Sequence, residues 1–321
     1  MSAAPRFLAP FEQGLVTPAD SLLVIRPTDA TGLAGFEAIT LEQGFFPTAK
    51  ALENAGYTVS PRVTGQYGMV LVNLTRSKAE NLANIARASA MSAGLVLVNG
   101  AKTEGIESLL KAVKKITPVE VLSKAHGKVF WFNATGMPAE WLKAGEMAEN
   151  KSGFITAPGM FSYEKVDVGS ALLAPYINGL KGRVADLGAG WGWLAAQALG
   201  PDVREMVLFE AEHMALEAAR KNLADPRLRF EWADVLSLPK QLPFDVVISN
   251  PPFHQSRVAE PALGVGFIGA AAKLLTPKGR LLMVANRQLP YERALESAFR
   301  KVDMLAQTNA FKLFEASLPK R

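Results

Sequence analysis

The chain has 321 residues, 49% of them hydrophobic and 20% charged, with 35 Lys and Arg against 30 Asp and Glu. That length supports about two domains and that composition excludes a disordered tail or a fibre, while a net charge of +5 permits an anionic partner without marking a dedicated nucleic-acid binder. Cysteine is absent and histidine occurs only at His126, His213 and His254, which excludes disulfides, thiolate metal sites and a cysteine nucleophile and leaves no His-based metal cluster.

In chain order, the first half shows short apolar runs from Leu22 toward Asp29, at Val70–Asn73, Leu95–Asn99 and Val119–Leu122, then the aromatic pair Phe130-Trp131. Among them Leu109 to Lys115 reads as a helix whose Lys111, Lys114 and Lys115 form a solvated face able to meet phosphates. Gly, Pro and charged residues intersperse between Gly136 and Gly153, which sets a linker at 141–158 between a first domain, 1–140, and a second, 159–321. The second half alternates strands and helices. Its expected elements are strand Arg183–Leu187, helix Trp193–Leu199, strand Met206–Glu210, helix His213–Ala224, strands Leu228–Ala233 and Phe244–Ser249, helix Ala262–Leu275 and strand Arg280–Ala285. Gly200-Pro201 ends the first of these helices and Thr276-Pro-Lys-Gly279 the last. Strands separated by helices need crossovers, hence a mainly parallel sheet covered on both faces. After a helix Tyr291–Arg300, the runs Lys301–Thr308 and Phe311–Ser317 lie too close for a crossover and should pair antiparallel.

The first half repeats the second in weaker form. Val70-Leu-Val-Asn73 matches Val247-Ile-Ser-Asn250 at an offset of 250−73=177, and Leu95–Asn99 matches Leu282–Asn286 at 286−99=187. Val119–Leu122 matches Val302–Leu305 at 302−119=183, an offset that also places Phe130-Trp131 on Leu313-Phe314. Matches in the same order at nearly one offset indicate a duplicated α/β domain. The first copy has Leu22–Asp29 where the second has a glycine turn, and Asn73-Leu-Thr-Arg76 where the second has Asn250-Pro-Pro-Phe253, so the scaffold is kept and the chemistry lost.

Asp186-Leu-Gly-Ala-Gly-Trp-Gly192 closes a strand and opens a helix, and glycines at Gly188, Gly190 and Gly192 let backbone N–H groups approach a ligand. Dinucleotide folds use a related turn, but alternate glycines with Asp186 beside them suit a ligand carrying an ammonium group better than a pyrophosphate. Glu210, 210−192=18 residues beyond the last glycine, is placed to accept from both hydroxyls of a ribose, and Asp234 to bond an adenine amine. Asn250-Pro251-Pro252-Phe253 sits at the end of a central strand. Consecutive prolines fix φ and remove two N–H donors, leaving a rigid row of carbonyl acceptors beside the Asn carboxamide. An exocyclic amine is a poor nucleophile because its lone pair is conjugated; two acceptors, Asn250 and a carbonyl around Pro251, can take its hydrogens and orient that lone pair while Phe253 stacks on the base. Trp191 and Trp193 flank the last glycine and are expected to pack around the ligand.

From Gly159 onward the chain resembles the class I S-adenosylmethionine-dependent methyltransferases, and among them the ribosomal RNA guanine-N2 methyltransferases, both the small-subunit methyltransferase C group and its large-subunit relative. The resemblance rests on Gly159-Met-Phe-Ser162, Val166-Asp-Val-Gly-Ser170, the glycine turn, Ser249–His254, Val284-Ala-Asn286 and Leu289-Pro-Tyr291. It implies two tandem Rossmann-like domains, the first degenerate and the second a seven-stranded mainly parallel sheet with one antiparallel strand. It also implies S-adenosylmethionine as cofactor, held by Asp186, Gly188, Gly190, Gly192, Glu210 and Asp234, with Asp167 and Phe161 closing the site from upstream and Asn250 to Phe253 holding the target guanine. Trp191 and Trp193 are bulkier than that pattern leads one to expect.

The expected activity is methyl transfer to the exocyclic N2 amine of a guanine in 16S ribosomal RNA, with ribosomal RNA or the small subunit as partner and no metal. Three alternatives stay open: methylation of adenine N6 or a protein glutamine amide, whose motifs usually carry Tyr at the position of Phe253; a non-catalytic RNA-binding assembly protein; and a nicotinamide oxidoreductase, which accounts for Glu210 but not for Asn250. No apolar run approaches the roughly 18 residues needed to cross a bilayer, so a cytoplasmic monomer without membrane contact is expected.

Overall fold

The computed structural model describes residues 5–252 and 261–320. Phe253 and His254 therefore lie outside the described residues. The chain divides into two compact units, Met1–Met147 with Ala157–Gly159, and Ala148–Thr156 with Met160–Arg321.

The first unit holds strands β1 (Leu22–Ile25), β2 (Ile39–Glu42), β3 (Thr58–Ser60), β4 (Tyr67–Asn73), β5 (Ser92–Ala101), β6 (Glu120–Lys124) and β7 (Gly127–Asn133), in the order β3-β2-β1-β4-β5-β7-β6. Only β7 runs against its neighbours. All four residues of β1 are buried, as a strand covered on both faces requires. Helix Lys78–Met91 begins at Ser77, whose hydroxyl accepts from the Glu80 N–H, the cap that a Ser-x-x-Glu spacing favours.

A hairpin, β8 (Ala148–Glu149) with β9 (Ile155–Thr156), precedes the second sheet, so the 141–158 stretch contains ordered structure as well as the end of helix Ala139–Lys143. The second sheet comprises β10 (Gly182–Leu187), β11 (Val203–Glu210), β12 (Leu228–Trp232), β13 (Phe244–Ser249), β14 (Leu275–Asn286), β15 (Phe299–Gln307) and β16 (Phe311–Pro319), ordered β12-β11-β10-β13-β14-β16-β15. Again a single strand, β16, is antiparallel to both neighbours. Apolar side chains alternate between two buried layers. Ala185, Phe209, Val247 and Met283 meet helix Pro261–Leu274 on one face, and Val184, Leu208 and Ile248 meet helices Trp193–Ala198 and His213–Asn222 on the other. Among the described residues no helix is long and apolar enough to cross a membrane.

The two sheets share strand order and strand register. Ile25 pairs with Val72 as Leu187 pairs with Ser249, which aligns Asn73 with Asn250, Arg26 with Gly188 and Val24 with Asp186. Register also corrects two of the sequence matches. Val70 faces Val96 and Val247 faces Leu281, so the offset there is 281−96=185 and not 187; Val98 faces Phe130 and Met283 faces Phe314, giving 314−130=184 and not 183.

Candidate active site

Gly188, Gly190 and Gly192 all have left-handed φ, +75°, +56° and +88°, which a side chain resists. The turn they form is fastened from the neighbouring strand: Gly188 N–H donates to Phe209 O at 2.9 Å and Gly190 N–H to Glu210 Oε2 at 2.7 Å. A Cβ at Gly192 would come within 2.9 Å of Leu223 Cδ1, whereas one at Gly190 would meet nothing within 4 Å, because that side opens on a cleft. The cleft is open to solvent and is lined by Phe161, Asp167, Ser170, Gly188, Gly190, Trp191, Trp193 and Asn250 among others. Glycine turn and Asn250 thus face one space.

Asp186 is fully buried and neither carboxylate oxygen makes a well-formed hydrogen bond among the described residues, though the Ala195 backbone N–H lies close enough to favour its charged form. Burial, and then the neighbouring Glu210, push its carboxyl up to about 8. An orphaned acid at this position fits a ligand that brings a cation or donors, since an unpaired buried carboxylate is costly until one arrives. Glu210 ends β11; Glu212 N–H donates to its Oε1 at 2.8 Å, opposite the bond from Gly190, and burial raises its pKa as well. Each oxygen keeps a lone pair for a further donor. Asp234 follows β12 by two residues and, like Asp186 and Glu210, is not among the residues that line the cleft; it caps the turn Val235–Ser237, accepting from Leu236 N–H at 2.9 Å.

Asn250 follows β13, whose last residue, Ser249, donates from Oγ to Leu187 O at 2.7 Å and so ties the two strand ends together. The Asn250 amino group donates to Asp167 Oδ2 and to Ser170 Oγ, both at 2.9 Å. Asp167 also caps helix Val168–Leu173 by accepting from Ser170 N–H at 2.8 Å. It is therefore bonded to Asn250, although the sequence assigns it to the cofactor. Pro251 is buried and Pro252 exposed. Phe161 is 58% exposed at the rim; the next residue, Ser162, has φ +48°, and Trp191 Nε1 donates to Phe161 O at 3.0 Å while its ring packs on Phe154.

Two further residues are not singled out by the sequence. Ser170 belongs to the Val166–Ser170 motif, and its spacing of three from Asp167 is a capping signal. Asn222, at the end of helix His213–Asn222, gives its amide to Ile155 O and Trp191 O and accepts from Ile155 N–H, holding the hairpin and the glycine turn at once; nothing local announces that role. Tyr291 of the Leu-Pro-Tyr segment is 1% exposed, its hydroxyl without a partner, and its ring fills the space where Gly264 lacks a side chain.

In the first unit the same strand ends also border a cleft, lined by Val24, Thr28, Asp29, Leu71, Asn73 and Asn99, but their polar groups bond to one another. Arg26 keeps a left-handed φ of +57°, its N–H donates to Glu42 O at 2.9 Å, and its side chain pairs with Glu80 at 2.8 Å. Gln43 stands where Glu210 does, accepting from Phe45 N–H at 2.9 Å and donating to Pro27 O at 2.7 Å. Asn73 Oδ1 accepts from Asn99, whose own Oδ1 accepts from Arg6 Nε.

The family described as methyltransferase small domain matches residues 151–315, half of the chain. The chain belongs to that methyltransferase family. Ribosomal RNA small subunit methyltransferase C of Shewanella sp. (strain MR-4) is 30% identical over 78% of this chain and 77% of its own length. Ribosomal RNA large subunit methyltransferase G of Shewanella amazonensis is 31% identical over 70% of this chain and 62% of its own. Among solved structures, the T. thermophilus 16S rRNA N2-guanine methyltransferase in complex with AdoMet and guanosine superposes with a TM-score of 0.79, covering 95% of this chain and 90% of that one at 24% identity. The fold of the methyltransferase is thus shared across both units.

Proposed function

We propose that this methyltransferase moves the methyl group of S-adenosylmethionine to the exocyclic N2 amine of a guanine in ribosomal RNA, the 16S RNA of the small subunit. One observation carries the reading: the glycine turn and Asn250 line the same cleft, so a methyl donor and an amine acceptor can meet there. The small-subunit methyltransferase C relatives support the choice of RNA, and the T. thermophilus neighbour was solved with both AdoMet and guanosine.

When bound, the cofactor supplies a methyl group already activated on a sulfonium. The protein's residues orient the partners. Asp186 meets an ammonium, Glu210 offers lone pairs to ribose hydroxyls, the Gly188 to Gly190 backbone admits the ligand closely, and Asp234 stands on the side of the adenine. Asn250 Oδ1 and the carbonyl at Pro251 accept the two hydrogens of the amine and aim its lone pair, and Phe253 stacks on the base. Acceptors fixed in advance at a reacting nitrogen are worth roughly 10²–10³ in rate, and holding the reactants together contributes more. A paired guanine must first leave its stack.

The test is transfer from labelled S-adenosylmethionine to ribosomal RNA and to small subunits from a strain lacking the gene, with nucleoside analysis and Asn250→Ala as control. N2-methylguanosine that disappears in the control is the expected result. Label on adenine N6 or on protein glutamine overturns the substrate assignment, and cofactor binding without transfer to any acceptor overturns the enzyme reading.

A further inference from the structure

The two ends of a carboxamide have nearly the same size, so packing alone does not decide whether Asn250 turns its oxygen or its amino group toward the cleft. Hydrogen bonding does decide it. Asp167 Oδ2 already accepts from the Ser170 N–H at 2.8 Å, so it presents lone pairs, and the Asn250 atom 2.9 Å away must be a donor. The second amino hydrogen goes to Ser170 Oγ, also at 2.9 Å. With both amino hydrogens spent, the Oδ1 end is left as the acceptor. A flipped amide would set N–H against the hydrogens of an incoming amine and leave an oxygen facing Asp167, two repulsive contacts in place of attractive ones.

Asn73, at the matching position of the first unit, is held the opposite way. Its oxygen is taken by Asn99 Nδ2 at 2.7 Å, and Asn99 is fixed in turn by Arg6. The same residue at the same strand end thus has an oxygen with no bond among the described residues in one sheet and an oxygen already bonded to a neighbour in the other.

We propose that Asp167 and Ser170 are positioning residues that lock the Asn250 carboxamide with its oxygen toward the amine to be methylated. This rests on the function proposed above. Asp167 performs two tasks with one oxygen, capping a helix and orienting a side chain 83 residues away, and the two can be separated. Asp167→Ser keeps a good N-cap but is too short to hold Asn250. Asp167→Asn retains an acceptor oxygen for both tasks. Ser170→Ala removes one of the two bonds.

The full-length variants are compared for thermal midpoint, S-adenosylmethionine affinity by calorimetry, and kcat and KM of transfer to small-subunit RNA. Asp167→Ser should keep the midpoint and the cofactor affinity and lose kcat roughly 10- to 100-fold. Ser170→Ala should lose less, and Asp167→Asn should stay near the parent. Unchanged kcat in Asp167→Ser, or a loss seen wholly as weaker cofactor binding, overturns the proposal. If the parent itself transfers nothing to RNA, the functional reading fails, and the lock is read from the Asn250 side-chain amide protons by NMR. They should exchange slowly in the parent and faster in Asp167→Ser; equal exchange overturns it.

Discussion

At the end of β1 the chain turns through Arg26 in a left-handed conformation, and at the end of β10 it turns through Gly188 in the same one. Both residues donate their N–H to the neighbouring strand at 2.9 Å. Beyond that shared corner the two units diverge. In the first, a cleft remains beside Val24, Asn73 and Asn99 but the polar groups are engaged with one another, with Arg26 on Glu80, Asn99 on Asn73 and Gln43 on Pro27. In the second, the Asp186 carboxylate is buried with only the Ala195 backbone N–H beside it, and the Asn250 oxygen makes no bond among the described residues. The lesson is that an α/β strand end becomes a site when its polar groups are left wanting, and becomes inert when they satisfy one another.

That contrast can be broken most forcefully in the first unit. Glu42 is buried with Arg87 bonded to both its oxygens at 2.7 Å. Arg87→Ala should cost about 3–5 kcal/mol of stability, read from a urea midpoint, and saturating S-adenosylmethionine should not restore it. Recovery with cofactor would show that the first unit still depends on a ligand.

Next in size, Asn250→Ala should lower kcat by about 10²–10³ with cofactor affinity kept, while Asn73→Ala leaves transfer within about twofold. Equal losses in the two variants would erase the distinction between the copies.

A smaller effect follows from Asp186, whose counterpart Val24 is apolar and has nothing to titrate. Because its carboxyl is raised to about 8, the free protein holds it protonated near neutral pH, and its contribution to stability, full below the ordinary carboxylate range, is lost as pH rises from there to about 8. A cationic ligand favours the ionised form, so binding expels the proton and affinity should climb with pH below 8, by up to about tenfold per unit. Calorimetry in buffers of different ionisation enthalpy measures the released proton. Asp186→Asn should bind weakly and without that slope, and a parent that binds equally at all pH values would refute the assignment.

The smallest expected change is in Arg26→Gly. Relief of left-handed strain, about 1–2 kcal/mol, is set against loss of the Glu80 pair, so stability should shift by about 1 kcal/mol or less, and the chain should still bind one cofactor. A second binding event would mean that Arg26 alone had closed the first unit.

Much of this was legible in the sequence because strand ends in α/β folds are marked by punctuation. Glycines, prolines and terminal acids located the turn, Asn250 and Glu210, and the apolar runs closed by Asn73 and Asn99, matched to those closed by Asn250 and Asn286, announced the duplicated sheet. The errors are equally physical. Apolar alternation has a period of two, so β5 and β14 could be slid by two residues without changing which faces are apolar. Adjacent aromatics at Phe130-Trp131 concealed a slip of one. A gap of another kind is the bond from Asn250 to Asp167: it spans 83 residues, so no local pattern encodes it, although Asp167 also lines the cleft where the resemblance puts the cofactor.

The left-handed corner at Arg26 also shows that a turn's shape does not by itself make a site. An arginine pays for positive φ where glycine would not, yet the chain holds one there, as it holds Ser162 and Leu318. The backbone shape that is left bare at Gly188 carries at Arg26 a side chain paired with Glu80.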